Sequence, residues 1–217
     1  LVDKPATQYA YPLHINFNKN NEDGSEDVNY NTAIANTAFR QSIYYALNFK
    51  EYYKRTNSIH PMSCENDAYT MKGLIYTSDG TDYTQLVRDE LGLPEYNGET
   101  PVRLNAEKAA SLKAQAIEEL TALGVTFPVE FDYYISASNQ TALDTANVLK
   151  QCFTECLGDD YVTLNICTYI SSFSQEVRIP SLFSFNINGW GADFGDPINY
   201  LGQEVMGSDG AFYAHSY

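Results

Sequence analysis

The sequence predicts an α/β fold, in which helices flank a sheet. Helical and strand patterns alternate through the second half of the chain, from residue 105 onward, as in sheets whose strands are joined by helical crossovers. Hydrophobic residues make up 44% of the 217 residues and charged residues 19%, which is typical of a globular chain and excludes a disordered one. The length is sufficient for a substantial core.

The first part of the chain predicts a strand, a long loop and a helical stretch. Apolar residues alternate over 9–17 and predict a strand, although Pro12 keeps its early part out of a central ladder. Residues 18–33 are polar and acidic and predict a surface loop, whose ligand spacing does not fit an EF-hand. An apolar stripe predicts a helix over 34–55 that is broken near Asn48.

The middle of the chain predicts a long ordered loop over 57–81 and a short helix over 82–91. The strongest helical pattern covers residues 105–123. There Asn105 suits the N-cap, alanine and leucine fill the turns, and Gly124 suits the position just after the helix.

Strands and helices then alternate toward the end of the chain. Strand patterns cover residues 128–136, 161–170 and 182–187, and helical patterns cover residues 141–157, 171–177 and 198–206. Ligands of such sheets bind beyond the carboxyl ends of the strands. The segment after the last strand, residues 188–197, is therefore the first candidate for a site.

Charge and cysteine content exclude several classes of function. The formal net charge of −15 argues against binding to nucleic acid or to an anionic membrane surface, because both need basic patches. No apolar run approaches the roughly 18 residues of a transmembrane helix. The cysteines form no CxxC pair, and no histidine is near enough to them in the sequence to suggest a zinc site. They therefore predict packing residues or free thiols: Cys64, Cys152, Cys156 and Cys167. We expect no metal and no cofactor.

Catalytic motifs are matched only by fragments. Residues 193–195 spell the DFG triplet of protein kinases, but the other kinase motifs are missing. Residues 189–191 begin like a dinucleotide fingerprint, but its sixth position is Phe194. Asp193 and Asp196 could form the acid and base pair of a glycosidase, yet aspartates near a proline are common in turns. We expect that the chain is not an enzyme.

The segment 188–197 combines the only tryptophan, Trp190, with three glycines and two aspartates. Glycines allow close approach of the backbone, and loops carried by rigid strands often bind ligands. The alternative is a tight turn before Pro197 in which Trp190 packs against the core. The residues alone favour the two interpretations equally.

Three segments resemble the extracytoplasmic peptide-binding proteins of ABC importers, the oligopeptide- and dipeptide-binding family (bacterial extracellular solute-binding protein family 5). They are YPLHINFN at 11–18, NTAFRQSIYYALN at 36–48 and GWGADFGDP at 189–197. The last two are similar to the family patterns F-R-Q-A-I-x-Y-A-L-D and G-W-x-A-D-Y-x-D-P. Their order and spacing also match, so the resemblance spans essentially the whole chain.

The resemblance implies one lobe of a type II periplasmic-binding-protein clamshell, with a mixed sheet flanked by helices. We expect residues 1–217 to form a single α/β lobe, the second of two, with the first lobe absent from this sequence. It also implies an extracytoplasmic location, as a cell-surface lipoprotein or in the periplasm. The partners it implies are a peptide ligand, the permease subunits of an ABC transporter and the first lobe of the same protein.

Ligand contacts are implied by the same resemblance. Asp193 occupies the position of the family's aspartate that forms a salt bridge with the peptide α-amino group. The backbone around Gly189 would bond to an extended peptide, Trp190 would wall a side-chain pocket, and Arg178 would reach the peptide C-terminus. The residues expected to bind ligand are Gly189, Trp190, Gly191, Ala192, Asp193, Phe194 and Arg178. An oligosaccharide or another solute on the same scaffold, and a sensor or interaction lobe, remain as alternatives.

Overall fold

The computed structural model describes residues 9–94, 98–205 and 207. Its helices are α1 Val28–Ala35, α2 Thr37–Ala46, α3 Lys50–Tyr53, α4 Tyr83–Glu90, α5 Ala106–Ala122, α6 Gln140–Leu157 and α7 Pro197–Leu201. Its strands are β1 Tyr9–Ala10, β2 Leu13–Ile15, β3 Val129–Ser136, β4 Val162–Tyr169, β5 Phe185–Ile187 and β6 Trp190–Gly191. Two 3₁₀ helices, Pro61–Cys64 and Gly202–Glu204, and a π-helix, Ser174–Arg178, complete the described elements.

The sheet is mixed. β3 and β4 pair in parallel, whereas β2 pairs antiparallel with β5 and β1 pairs antiparallel with β6. Ser184, just before β5, links two of these pairs: its N–H donates to the carbonyl of Asp132 on β3, and its own carbonyl accepts the N–H of Asn16, each at 2.9 Å. Ser184 therefore connects the β3–β4 pair to the β2–β5 pair.

Two apolar clusters hold the elements together. The main cluster packs α1, α2, α5 and α6 against the sheet, with Phe153 stacked on Phe185 at a centroid distance of 5.5 Å. A second cluster contains the buried side chains of Ala10, Ile75 and Tyr200, with Trp190 and Ala192 packed against them. The second cluster lies directly beneath β6.

Elements with strong local signals were predicted correctly. Asn105 caps α5, since its Oδ1 accepts the N–H of Lys108 at 2.9 Å, and Gly124 follows the helix with a φ of +84°. The strands β3 and β4 and the helices α4 and α6 also fall within a residue or two of the predicted bounds. These elements combine clear periodicity with caps or turn residues.

The predicted loop over 18–33 and helix over 34–55 are wrong in their bounds. The helical stretch begins six residues earlier, because Asp27 Oδ1 accepts the N–H of Tyr30 at 2.9 Å and starts α1. Asn36 is extended and separates α1 from α2, and its Oδ1 accepts the N–H of Phe39 at 2.8 Å. This cap was not predicted, because a continuous apolar stripe crosses it.

The strand predicted over 9–17 is broken at Pro12 into β1 and β2. Its apolar side packs against the main cluster, but its polar side is buried more deeply, with His14 3% and Asn16 0% exposed. Burial of Asn16 is satisfied by hydrogen bonds, since its Nδ2 donates to the carbonyl of Phe183 at 2.8 Å.

Three later predictions are longer than the observed elements or displaced from them. The strand over 182–187 is limited to Phe185–Ile187, because Ser181 adopts a φ of +63° and Leu182 bonds back to Val177. The helix over 171–177 is a π-helix, Ser174–Arg178. The helix over 198–206 is α7 followed by a 3₁₀ turn, and its last residue, Met206, lies outside the described residues.

The helices in the described part of the chain are all too short or too polar to cross a lipid bilayer.

Candidate functional site

The segment after β5 is more regular than the sequence predicted, because two of its residues form the strand β6. Ala10 lies opposite Trp190 and Tyr9 lies opposite Gly191 in the antiparallel pairing of β1 with β6. The glycine-rich segment is thus anchored to a strand from the other end of the described chain.

Asn199, on α7, fixes the loop between β6 and that helix. Its carbonyl accepts the indole N–H of Trp190 at 2.6 Å, and its side-chain Oδ1 accepts the backbone N–H of Asp193 at 3.0 Å. One residue therefore holds both the aromatic ring and the backbone that carries the acid. The position of Asp193 depends on these two bonds, and the sequence alone did not single out Asn199.

The two aspartates of the loop have different roles. Asp196 caps α7, since its Oδ1 accepts the N–H of Ile198 at 2.9 Å, and Pro197 occupies the first helical position. Asp193 is exposed, and no side chain within residues 9–94, 98–205 and 207 forms a hydrogen bond or ion pair with its carboxylate. Asp196 thus serves as a helix cap, whereas the carboxylate of Asp193 has no such local role.

Gly191 in β6 and Gly189, just before it, leave room for two tyrosine rings. A methyl group added to Gly189 would lie 2.5 Å from Cε1 of Tyr11, and one added to Gly191 would lie 2.9 Å from Cε1 of Tyr9. Both distances are shorter than real side-chain contacts, so the rings rest against bare backbone. We call the rings of Tyr9 and Tyr11, together with the two glycines, the tyrosine face.

The opposite side of the same ribbon is buried. Ala10 is 4% exposed, and the half-buried Trp190 and Ala192 pack with it in the second cluster. Phe194, one residue beyond Asp193, is 56% exposed and lies next to the free carboxylate in the chain. The ring of Trp190 thus packs against the cluster, as one of the two interpretations of the sequence required.

Strand β6 has one ladder neighbour, β1, among the described strands. Any extended ligand that bonds to the backbone of β6 must therefore use the outer edge, because β1 occupies the other. This limits the strand addition expected around Gly189 to a single side.

Arg178 lies apart from this loop in the chain, at the end of the π-helix that follows β4. Its Nη2 donates to Ser174 Oγ at 2.8 Å within the same element. The π-helix is fixed to the end of β4 by Glu176, whose carboxylate accepts three backbone N–H groups, each at 2.8 Å, from Ile170, Ser171 and Ser172. These bonds lower the pKa of Glu176 to about 2. Residues 189–194 form one continuous segment, whereas Arg178 lies on a separate element.

A buried polar cluster lies behind the second apolar cluster. His14 Nδ1 lies 2.8 Å from Glu204 Oε1, and the hydroxyl of Tyr69 contacts both side chains. It ties β2 to the 3₁₀ turn after α7. No sequence pattern indicates this contact, because the three residues come from separate parts of the chain.

Within the described ranges, no group of three or more histidine, cysteine, aspartate and glutamate side chains is arranged to hold a metal ion. A surface depression of about 680 Å³ lies between α3 and α6, on elements that carry none of the predicted site residues, and is lined by Glu51, Lys54, Arg55, Val148, Gln151 and Glu155.

Comparison with known proteins identifies relatives of one kind. No family model matches the chain. The oligopeptide-binding protein AliB of Streptococcus pneumoniae is 24% identical over 188 residues, which cover 78% of this chain and 28% of AliB. The chain is similar to oligopeptide-binding proteins. It spans less than a third of the length of these curated relatives.

Solved structures agree with this similarity. The substrate-binding domain of an oligopeptide ABC transporter from Bacillus anthracis matches with a TM-score of 0.63 and 20% identity, over 95% of this chain and 34% of that one. OppA of Listeria monocytogenes, solved bound to a peptide, matches with a TM-score of 0.60 and 18% identity, over 97% of this chain and 37% of that one. The predicted fold, one lobe of a type II clamshell with a mixed sheet flanked by helices, and the family resemblance are both confirmed.

Proposed function

We propose that the chain is the peptide-binding lobe of a solute-binding protein that serves an ABC importer. Peptides would bind between this lobe and a first lobe of the same protein and pass to the permease subunits. The relatives' names describe binding and transport proteins, and we propose that this chain likewise binds its ligand without chemical change. An extracytoplasmic location, at the cell surface or in the periplasm, follows from the same proposal.

The observation that carries the proposal is the carboxylate of Asp193. It is exposed, has no partner among the described residues, and stands on a loop whose backbone is held by Asn199. A peptide α-amino group enclosed between two lobes must be paired with a negative charge, because an unpaired buried ammonium is costly. A carboxylate held in advance provides that charge without further ordering.

The remaining site residues would act around this ion pair. Within Gly189, Trp190 and Gly191, the backbone groups that point away from β1 would bond to an extended peptide, a contact that does not depend on side-chain identity. Ala192 would support the loop from below, Phe194 would contact the ligand beside Asp193, and Arg178 would reach the peptide C-terminus. The domain assignment, a single lobe over 1–217, belongs to the same proposal.

An oligosaccharide is the second candidate ligand, because the exposed rings of Tyr9 and Tyr11 could stack on sugars. Sugars carry no ammonium group, so they would make no use of the free carboxylate of Asp193. For this reason we favour peptides. A sensor or interaction lobe is the third candidate, and it predicts no small ligand.

The test compares a short peptide with its N-acetylated form by calorimetry on the natural protein that contains this chain. Charge-assisted hydrogen bonds contribute about 1.5–3 kcal/mol, so acetylation should weaken binding by about 10- to 150-fold. Asp193→Asn should weaken binding of the free peptide by a similar factor and leave the acetylated peptide little changed.

Asp160→Asn is the matched control, because Asp160 is 86% exposed and lies on the turn before β4. It removes the same charge and should leave the affinity within about twofold, since exposed charges interact weakly. Equal affinity for free and acetylated peptides would refute the role of Asp193. Binding of oligosaccharides in place of peptides would favour the second candidate.

A further inference from the structure

The tyrosine face is more exposed than the packing of the ribbon requires. Tyr9 is 47% and Tyr11 67% exposed, whereas Ala10 between them is 4% exposed. Aromatic rings placed over strand glycines stabilise sheets, so part of their role is structural. A ring that served packing alone would be covered on its other side, because a buried tyrosine contributes most of its stabilisation through the area removed from water.

Both rings lie over the glycine positions at 189 and 191. Cζ of Tyr11 lies 3.0 Å from a methyl group placed on Gly189, and Cζ of Tyr9 lies 2.9 Å from one placed on Gly191. Cζ is the far end of the ring, and neighbouring strands are about 4.8 Å apart. The two rings therefore lie over the backbone of residues 189–191, one strand spacing from the position that an added strand would take.

The spacing of the face matches that of an extended peptide. Residues two apart in a strand are separated by about 6.6 Å and project to the same side. Tyr9 and Tyr11 are two residues apart in the chain. Side chains on the same side of an extended peptide are also two residues apart. Asp193 follows Gly191 by two residues, so a peptide whose amino group binds Asp193 has its first residues beside Tyr9 and then Tyr11.

We infer that Tyr9 and Tyr11 form a specificity surface that favours peptides with aromatic side chains among their first three residues. This inference rests on the proposed function. Tyrosine provides large, rigid contact area at low entropic cost, and aromatic pairs prefer offset or edge contacts that a ring lying over glycine leaves accessible. The glycines are required because any larger side chain would lift the rings off β6.

The test uses three six-residue peptides with free amino groups: one of alanine throughout, one with phenylalanine at position 1 and one with phenylalanine at position 3. Their dissociation constants are measured by calorimetry on the natural protein and on Tyr9→Ala, Tyr11→Ala and Tyr11→Phe. We expect at least one phenylalanine peptide to bind about three- to tenfold more tightly than the alanine peptide. Each alanine variant should reduce that ratio, and Tyr11→Phe should preserve it because the ring remains.

Tyr44→Ala is the control, since Tyr44 is an exposed tyrosine on α2, at 41%, outside the tyrosine face. It should leave the ratio unchanged. A ratio of one in the natural protein, or equal losses for the alanine and phenylalanine peptides in Tyr11→Ala, would overturn the inference. If the alanine peptide still binds through its amino group, only the inference fails, whereas loss of amino-group dependence would overturn the proposed function as well.

Discussion

Lys19 is the clearest point at which one side chain holds the fold together. It is 4% exposed, and its Nζ lies 2.7 Å from Asp27 Oδ2 and 2.7 Å from Asp132 Oδ2. Asp27 caps α1 and Asp132 belongs to β3, so the ammonium joins the loop over 18–27, a helix and the sheet. Its charge also lies 5.5 Å from the ring centroid of Tyr30.

Replacing Lys19 with methionine keeps the length of the side chain and removes its charge. Loss of one partner of a buried ion pair costs about 3–5 kcal/mol, because the other charge is left unpaired. The side chains of Asp27 and Asp132 retain 18% and 20% exposure, so water can partly solvate them. We therefore expect a loss at the lower end of that range, about 3 kcal/mol of the free energy of unfolding.

The measurement is urea unfolding followed by circular dichroism, in which the midpoint should fall at an unchanged slope. Lys54→Met is the control, because Lys54 pairs with Glu51 at 2.6 Å but is 44% exposed, and it should cost no more than about 0.5 kcal/mol. Adding Asp132→Asn to Lys19→Met should restore part of the loss. A loss below about 1 kcal/mol, equal to that of Lys54→Met, would refute the reasoning.

The pH dependence of this contact has a defined sign. Burial lowers the pKa of Lys19, but its hydrogen bonds to Asp132 and Asp27 and their charges outweigh burial, and the pKa lies above its ordinary value. A raised pKa in the folded state means that the stabilisation is fully present below the ordinary lysine pKa and is lost as the pH rises through the folded value. The cost of Lys19→Met should therefore be constant around neutral pH.

Two further predictions concern the site and its neighbour. Gly189→Ala adds a methyl group 2.5 Å from Tyr11 Cε1, which must move the exposed ring by about 1 Å. The phenylalanine preference in the peptide titrations should therefore fall at least threefold. Gly202→Ala is the control, because its methyl group meets no atom within 4 Å and should not change that preference. Glu176 has a pKa lowered to about 2, so its stabilisation is present above pH 4.5 and disappears as the pH falls toward 2. Urea unfolding between pH 7 and 2 should show Glu176→Gln less stable than the natural protein at neutral pH and equal to it near pH 2; parallel curves would contradict this.

The parts of the fold that the sequence predicted well depend on local signals. α5 and α6 have regular apolar stripes, asparagine caps and a following glycine with positive φ, all within 20 residues of one another. The parallel pair β3 and β4 consists of two eight-residue strands separated by one helix. Such elements fold as the nearby sequence indicates because no distant contact is needed to define them.

The incorrect predictions concern segments whose structure is determined by contacts between residues far apart in the sequence. The burial of Asn16 depends on Phe183 and Ser181, and the start of α1 depends on Asp27, which Lys19 also binds. Neither contact has a periodic signature, so the polar loop after β2 was predicted to be longer than it is. A strand of two residues such as β6 has no detectable periodicity at all.

Only part of the candidate site was predicted, because the rest of it depends on contacts between residues far apart in the sequence. Asp193 and the glycines stood out by composition, and the Asp196–Pro197 pair could have been assigned as a helix cap from sequence, which would have left Asp193 as the free acid. The tyrosine face could not have been found, because it needs the register that sets Tyr9 opposite Gly191 across almost the whole chain.

That register also reconciles the two interpretations of the glycine-rich segment. Successive residues of a strand face opposite sides, so fixing Trp190 in the second cluster fixes Gly189 and Gly191 on the other side, beneath the tyrosine rings. A slip of one residue would bury the tyrosines and expose the indole. The hydrogen bond from Trp190 to Asn199 opposes that slip, and the same asparagine orients Asp193. The packing role of Trp190 is thus the condition under which the opposite face and the free carboxylate can serve a ligand.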